Sequence, residues 1–250
     1  MWKYGFASVT GTSHSQFSLV CQDSSRVEVI NTPQEEEILL AVASDGAGGA
    51  ARANLGAELA CNMLVAEVKT HFLAGGSWAQ LRDDFISGWI GRFQALVMKW
   101  SGESPRDFAC TLLAAIIGRS HAVYFQIGDG AIVASRGDDE YQCVCWPQRG
   151  EYANSTNFLT DDDAADKLYR ECKTSRIDEV ALFTDGIQNL VLDYRTRSAH
   201  SPYFASMFAW LRHRRLGSRE LSDSLVDYLN SAKVNARTDD DKTLILATRR

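Results

Sequence analysis

The sequence predicts an α+β protein built as a layered sandwich of sheets and helices. Residues 38–43 form a continuously apolar run that is too short for a helix and is typical of a strand covered on both faces. Two long amphipathic segments, 50–73 and 77–100, follow one another with no strand between them, and further apolar strands come after them. Because strict βαβ alternation would separate these helices, their succession favours a sandwich over a parallel α/β fold.

The first hundred residues contain three predicted strands and both long helices. Residues 2–9 and 27–30 are rich in aromatic and β-branched side chains, which predicts strands, and residues 11–15 are predicted as a loop. Apolar side chains recur at helical spacing from Leu55 to Ala66. Ser77 is predicted to cap the second helix, whose aromatic and aliphatic stripe indicates a buried face.

The rest of the chain combines short apolar strands, turns that contain acidic residues and glycine, and two helices. The predicted strands are residues 108–118, 121–127, 131–135, 141–146, 180–184 and 243–247. The helices are predicted at 203–214 and 218–232. Residues 147–176 are the least regular part, and the aspartates at 161–163 are predicted to begin a helix there.

Length and composition restrict the class of protein. A chain of 250 residues that is 45% hydrophobic can bury a substantial core, and residues 1–250 are predicted to form a single domain. The net charge of −6 argues against a nucleic-acid partner. The longest apolar runs fall short of the ~20 residues that span a bilayer, so no membrane association is expected. Six cysteines in a chain of this size are expected to stay reduced, which favours a cytoplasmic location.

Acidic residues recur at the edges of the predicted strands. They are Asp23, Asp45, Asp129, Asp185 and one of the three aspartates at 239–241. One Asp-Gly pair such as Asp45-Gly46 is typical of a plain turn, but five strand-edge carboxylates suggest a common site. Carboxylates brought within ~4–6 Å of one another cannot all stay ionised without a cation. Oxygen ligands without His or Cys favour Mg²⁺ or Mn²⁺.

These acidic segments resemble, in order and approximate spacing, the motifs of the PP2C-type (PPM family) metal-dependent protein serine/threonine phosphatases. The matching segments are Asp45-Gly46-Ala47-Gly48-Gly49, Thr111-Leu112-Leu113, Gly128-Asp129-Gly130, Thr184-Asp185-Gly186 and Asp240-Asp241-Lys242-Thr243. The resemblance covers nearly the whole chain and identifies it as an atypical bacterial member. It implies a four-layer α-β-β-α sandwich of two antiparallel sheets flanked by helices, with the metal ions at one end.

The resemblance also implies a set of metal ligands. Asp45 would bridge two metal ions, and the backbone carbonyl of Gly46 would bind one of them. Asp185 and Asp240 would complete the protein ligands of the other ion, and Asp23 would act in or just outside the coordination shell. A third, weaker ion is implied as well, at Asp129 together with Asp185. Residues 147–176 correspond to the flap of the family, next to the site.

The implied activity is hydrolysis of phosphoserine and phosphothreonine monoesters in proteins. A hydroxide that bridges two metal ions would attack phosphorus in line, with Asp45, Asp185 and Asp240 as the catalytic residues. The implied substrates are phosphorylated proteins, such as targets of a cognate serine/threonine kinase, and the expected state is a monomer. Two alternatives stay open: a non-catalytic PP2C-like regulatory binding module, and a small-molecule phosphatase.

The sequence departs from the family pattern where substrate phosphate is bound. The arginine that usually precedes the first motif is missing, because residues 11–23 contain neither Arg nor Lys. His14 and Arg52 are the candidates to replace it. Gln22 stands where many members have Glu, and Ala47 stands where the animal enzymes have a histidine proposed as general acid. These differences concern phosphate affinity more than metal binding.

Overall fold

The computed structural model of the chain describes residues 1–102, 104–148 and 156–250. Within these ranges, two five-stranded antiparallel sheets form the centre of the molecule. The first sheet has the order β1 (Lys3–Val9), β12 (Lys242–Thr248), β9 (Glu179–Phe183), β6 (Ala131–Ser135) and β7 (Gln142–Cys145). The second has the order β2 (Ser24–Asn31), β3 (Glu37–Ser44), β4 (Leu112–Ile117), β5 (Ala122–Ile127) and β8 (Tyr169–Lys173).

The helices lie outside the sheets or at the ends of strands. They are α1 (Thr12–Gln16), α2 (Ala53–Leu73), α3 (Asp83–Ser101), α4 (Asp185–Val191), α5 (Ser201–His213), α6 (Ser218–Leu229) and α7 (Ala232–Asn235). Two 3₁₀ turns, Trp78–Gln80 and Pro105–Phe108, flank α3, and the two-residue strands β10 (Leu192–Asp193) and β11 (Ser198–Ala199) pair with each other. No helix in the described ranges combines the length and the apolar character needed to cross a bilayer.

Three apolar clusters separate the four layers. One joins α2 and α3 to the outer face of the second sheet, and another joins α4, α5 and α6 to the outer face of the first. The third lies between the two sheets and contains Leu39, Leu113, Ile132, Leu182 and Ile245. Because the central strands are buried on both faces, they read in the sequence as continuous apolar runs. The predicted α-β-β-α sandwich is therefore confirmed.

The second long helix begins later than predicted. The backbone N–H of Ser77 does meet the side chain of Gln80, with a distance of 2.7 Å to Oε1, but the turn it closes is a 3₁₀ turn. The chain then folds inward to bury Leu81 completely, and α3 starts at Asp83. Asp83 and Asp84 occupy the first turn of α3, where carboxylates complement the helix dipole.

The irregular segment between residues 147 and 176 also differs from the prediction. Residues 161–163 begin no helix, because the Asp161 carboxylate accepts the N–H of Phe158 in a turn at 2.9 Å. Residues 169–173 form β8 at the edge of the second sheet, where a strand was not predicted. Residues 149–155, which fall within the predicted flap, lie outside the described residues. A loop was predicted at 11–15, but residues 12–16 form the short helix α1.

Candidate metal centre

The antiparallel register brings the acidic strand edges to one end of the sandwich. In the second sheet, Ser44 at the end of β3 pairs with Ser24 at the start of β2. Asp45 directly follows Ser44 and Asp23 directly precedes Ser24, so both aspartates lie at the same end of the sheet. In the first sheet, Phe183 at the end of β9 pairs with Leu244 near the start of β12 and with Ala131 at the start of β6. Asp185, Asp240 and Asp129 therefore approach the same end.

The carboxylates of Asp45, Asp129 and Asp185 meet there. One oxygen from each lies within 4.8 Å of the others. The three residues line a cavity of about 170 Å³, which we call the acidic cavity. Its other lining residues are His14, Gln22, Gly46, Ala47, Gly48, Thr111, Thr156, Phe158, Asp240 and Asp241. Asp240 thus belongs to the cavity but not to the group of three, whereas Asp23 is buried and does not line this cavity.

Asp45 is fixed by the start of β4. The backbone N–H of Asp45 donates to the hydroxyl of Thr111 at 2.9 Å, and the N–H of Thr111 donates to the Asp45 carbonyl at 2.8 Å. The chain then turns sharply at Gly46, where a Cβ would lie 2.7 Å from the carbonyl oxygen of Gln22. Since that contact is with backbone, only glycine fits, and the turn holds the Asp45 carboxylate over the cavity.

Thr184 links two of the acidic residues. Its hydroxyl donates to Oδ2 of Asp23 at 2.7 Å and accepts the N–H of Thr243 at 3.0 Å. Thr184 also precedes α4, so Asp185 occupies the first turn of that helix, where the dipole stabilises a carboxylate. The other oxygen of Asp23, Oδ1, is buried and has no hydrogen-bond partner among the described residues.

Asp129 lies on the tight turn between β5 and β6. Gly128 adopts a φ of +106°, and a Cβ there would also lie 2.5 Å from Thr111 Cγ2. The hydroxyl of Thr156 donates to Oδ2 of Asp129 at 2.5 Å. Thr156 belongs to the predicted flap, residues 147–176, so this hydrogen bond connects that part of the flap to the acidic cavity.

Asp241 has a different role from its neighbour Asp240. Its buried carboxylate accepts the N–H of Gly11 at 2.6 Å and the N–H of Gln22 at 2.5 Å. Its Oδ2 also lies 3.0 Å from Nδ1 of His14. Asp241 thus holds both ends of the segment 11–22 against the start of β12, and both Asp240 and Asp241 line the cavity.

Burial and mutual repulsion disfavour the ionised forms of these acids in the metal-free protein. Desolvation is the main cause, and it raises the pKa of Asp23 to about 7 and that of Asp185 to about 6. Desolvation, followed by the charges of Asp23 and Asp185, raises the pKa of Asp45 well above its ordinary value. Desolvation also raises the pKa of Asp240. A divalent cation would remove this cost by compensating the charges.

The two candidates for binding substrate phosphate lie in different places. His14 lines the acidic cavity next to Asp241. Arg52 does not line it, and its guanidinium stacks on the ring of Phe108, 5.5 Å from the centroid. Among the described residues that line the cavity there is no Arg or Lys, so His14 is their only basic side chain.

Sequence reasoning missed the polar residues that position the acids. No role was predicted for the hydroxyls of Thr111, Thr156 and Thr184 or for the carboxylate of Asp241. Thr111 and Thr184 each border a buried apolar strand, and a lone hydroxyl at such a place is a signal that could have been used. The contacts of Asp241 span 219 and 230 residues, and no local pattern indicates them.

Comparisons with known proteins agree with this geometry. Structures of similar fold include the serine/threonine phosphatase Stp1 from Staphylococcus aureus, with a TM-score of 0.65 and 16% identity over 100% of this chain and 96% of that one. They also include the serine/threonine phosphatase of S. agalactiae, with a TM-score of 0.64 and 12% identity over the full length of both chains.

Two sequence comparisons define the family. "Serine/threonine-protein phosphatase 3" of Escherichia coli (strain K12) is 36% identical over 250 residues, which cover 98% of each chain. The family model described as "Protein phosphatase 2C" matches residues 10–230. With these matches and with the acidic cavity at the end of an α-β-β-α sandwich, the chain belongs to the protein phosphatase 2C family.

Proposed function

We propose that this protein hydrolyses phosphoserine and phosphothreonine monoesters in proteins and that it uses Mg²⁺ or Mn²⁺. The observation that carries the proposal is the approach of the Asp45, Asp129 and Asp185 carboxylates to within 4.8 Å in one cavity. The relatives named as serine/threonine phosphatases support the substrate class. The cavity has a volume of about 170 Å³ and a mostly polar lining, which supports a charged phosphoryl group as its ligand.

The residues of the cavity fit a divalent cation. Three carboxylates converge without a cationic partner, and the buried Oδ1 of Asp23 lacks any hydrogen bond within the described chain. Oxygen donors of this kind suit Mg²⁺ or Mn²⁺. We propose two ions held by Asp45, Asp185, Asp240 and the Gly46 carbonyl, with Asp23 supporting them and Asp129 contributing to a third, weaker site.

Side chains of the protein hold the acidic residues in position for binding the cations. When bound, divalent cations lower the pKa of water and neutralise phosphoryl oxygens. Thr111 fixes Asp45, Thr184 fixes Asp23, and Thr156 fixes Asp129, so the acids are already arranged before substrate arrives. We assign the contact with substrate phosphate to His14 rather than Arg52, because His14 lines the cavity and Arg52 stacks on Phe108.

We further propose a monomer that acts in the cytoplasm on proteins phosphorylated by a serine/threonine kinase, with no nucleic-acid or membrane partner. The six cysteines are all unpaired, which supports a reducing compartment. The net charge of −6 supports a partner other than nucleic acid.

A metal-dependent assay on a phosphothreonine peptide tests the proposal. We expect phosphate release with Mn²⁺, none with EDTA, and a loss of about a hundredfold or more in kcat for Asp45→Asn and Asp185→Asn. Asp227→Asn, an exposed change on α6, is the matched control and should keep wild-type activity.

The same assay separates the alternatives. Absence of phosphate release by a folded wild-type protein that still binds Mn²⁺ would favour a regulatory binding module. Hydrolysis of p-nitrophenyl phosphate without hydrolysis of phosphopeptides or phosphoproteins would favour a small-molecule phosphatase. Full activity in Asp45→Asn and Asp185→Asn would contradict the proposed site.

A further inference from the structure

A group of large apolar side chains is exposed on the loop between His14 and Gln22, which both line the acidic cavity. Phe17, Leu19 and Val20 are 76%, 51% and 62% exposed, and we call them the apolar tip. They follow α1 directly, with only Ser18 between them. Single exposed apolar residues are ordinary, but several together on one short loop are characteristic of a surface that binds a partner.

The loop that carries the apolar tip is fixed at its base. Asp241 accepts the backbone N–H groups of Gly11 and Gln22, at the two ends of the loop. The N–H and the hydroxyl of Ser13 both donate to the carbonyl of Asp239, at 2.9 and 2.7 Å. A Cβ at Gly11 would lie 2.3 Å from the Asp239 carbonyl oxygen, so the two backbones are in close contact.

The apolar tip is also held in a defined orientation. The N–H groups of Phe17 and Leu19 both donate to the carbonyl of His14, each at 3.0 Å. Ser18 adopts a left-handed conformation with a φ of +57°, which few non-glycine residues adopt. These hydrogen bonds fix the backbone of the apolar tip relative to His14, which lines the cavity, and the three side chains are exposed.

The apolar tip lies within reach of a substrate chain in the cavity. His14 and Gln22, which line the cavity, flank it in the sequence. At no more than ~3.6 Å per residue, the Cα of Phe17 is within ~11 Å of that of His14, and the Cα of Val20 is within ~7 Å of that of Gln22. An extended substrate covers that distance in about two to four residues.

We propose that the apolar tip docks the substrate protein by contacting apolar side chains two to four positions from the phosphorylated serine or threonine. The proposal rests on the proposed phosphatase function and adds a substrate preference to it. Burial of exposed apolar surface against matching side chains supplies the binding energy, and the fixed loop reduces the ordering cost. A substrate with polar flanking residues would gain nothing from this contact.

Three substrates test the proposal: p-nitrophenyl phosphate, a phosphothreonine peptide with Leu and Phe at the flanking positions, and the same peptide with Ser at those positions. The variants are Leu19→Ser and the triple change Phe17→Ser, Leu19→Ser, Val20→Ser. For the apolar peptide we expect the wild-type kcat/KM to exceed that for the polar peptide by about tenfold, and the triple change to remove this difference. Hydrolysis of p-nitrophenyl phosphate should change by less than about twofold, since that ester does not reach the tip.

Leu73→Ser is the matched control for Leu19→Ser. Leu73 has a similar exposure of 46% and ends α2, a helix of 21 residues that spans about 31 Å from the end near the cavity. We expect it to leave all three rates unchanged. Equal rates on the two peptides in the wild type, or an equal loss on all three substrates in the triple variant, would overturn the proposal.

Two further outcomes are distinguishable. A wild-type protein that hydrolyses none of the three substrates with Mn²⁺ would contradict the proposed phosphatase function itself. In that case, binding of the non-hydrolysed apolar peptide to the wild type but not to the triple variant would still support the docking surface. A dimer in sedimentation experiments that the triple change dissociates would assign the apolar tip to self-association and overturn the proposal.

Discussion

At the scale of residues, the metal-binding candidates act against the stability of the metal-free protein. Asp45 lies against Asp23 and Asp185, and burial raises its pKa far above the ordinary value. We predict that Asp45→Asn increases the melting temperature measured in EDTA at pH 8, by roughly 2–4 °C for each kcal/mol of repulsion removed. It should also abolish most of the increase that Mn²⁺ gives the wild type. A lower melting temperature in EDTA would show that Asp45 has a structural role instead.

Replacing Asp241 should lower the stability of the protein, because the Asp241 carboxylate accepts hydrogen bonds from within the chain. Both of its oxygens accept backbone N–H groups, from Gly11 and Gln22, and an amide can replace only one of them. We predict that Asp241→Asn costs about 1–3 kcal/mol in the free energy of unfolding. Urea denaturation measures it, with the exposed Asp239→Asn as control. An unchanged unfolding midpoint would show that these hydrogen bonds do not hold the loop.

The residues proposed as metal ligands could be identified from the sequence, and their supports could not. Asp-Gly pairs after buried strands are a local signal, and their order along the chain resembles that of the family motifs. The part played by Asp241 depends on partners more than 200 residues away. The ligand roles remain predictions, and the structure adds that Asp45, Asp129 and Asp185 are the three carboxylates that approach one another to within 4.8 Å.

At the scale of elements, a β-bulge in β7 shows that the alternation of side chains between the two faces of a strand does not always predict which face a residue occupies. Cys143 and Cys145 are two positions apart and would lie on one face of a regular strand. In β7, Cys143 pairs with Val133 and Cys145 with Ile132, so one residue of β7 has no partner. Cys143 therefore packs with the outer cluster, while Cys145 lies between the sheets. A bulge of this kind has no signal in the sequence.

Two helical glycines should respond differently to alanine. Helix propensity alone predicts that alanine stabilises both Gly56 in α2 and Gly91 in α3. A Cβ at Gly56 would lie 2.1 Å from the carbonyl oxygen of Phe108, whereas at Gly91 nothing lies within 4 Å. We expect Gly91→Ala to raise the free energy of unfolding by about 0.5–1 kcal/mol. Gly56→Ala should lower it, because the turn Pro105–Phe108 must move away. Equal effects in urea denaturation would show that α2 does not pack closely on that turn.

At the scale of the whole molecule, the layered sandwich and the family were predictable from the sequence. Continuous apolar runs identified the doubly covered strands, and the succession of α2 and α3 favoured a sandwich over a parallel α/β fold. The pairing of strands was not predictable from composition, and β8 was missed because Tyr169–Lys173 is a polar, partly exposed edge strand. Pairing of β1 with β12 joins distant parts of the chain, and the single domain stays a prediction.

The buried acids Asp23 and Asp185 make stability depend on pH, and we expect a bound metal to change that dependence. The pKa of Asp23 is raised to about 7 and that of Asp185 to about 6, so the folded metal-free protein holds protons that the unfolded chain releases. Stability from these groups is therefore fully present below about pH 4 and is lost as the pH rises towards 7. We predict that Mn²⁺ raises the melting temperature more at pH 7.5 than at pH 5.5, because it competes with these protons. An equal increase at both pH values would contradict this.

Calorimetric titration of the metal-free protein with Mn²⁺ is the most direct test, because the proposed activity depends on the proposed binding of divalent cations by Asp45 and Asp185. We predict that the wild type and the exposed Asp227→Asn variant bind Mn²⁺ with equal affinity. We predict an Mn²⁺ affinity that is reduced by about a hundredfold or more in Asp45→Asn and Asp185→Asn. Equal Mn²⁺ affinity in all four proteins would contradict the proposed site.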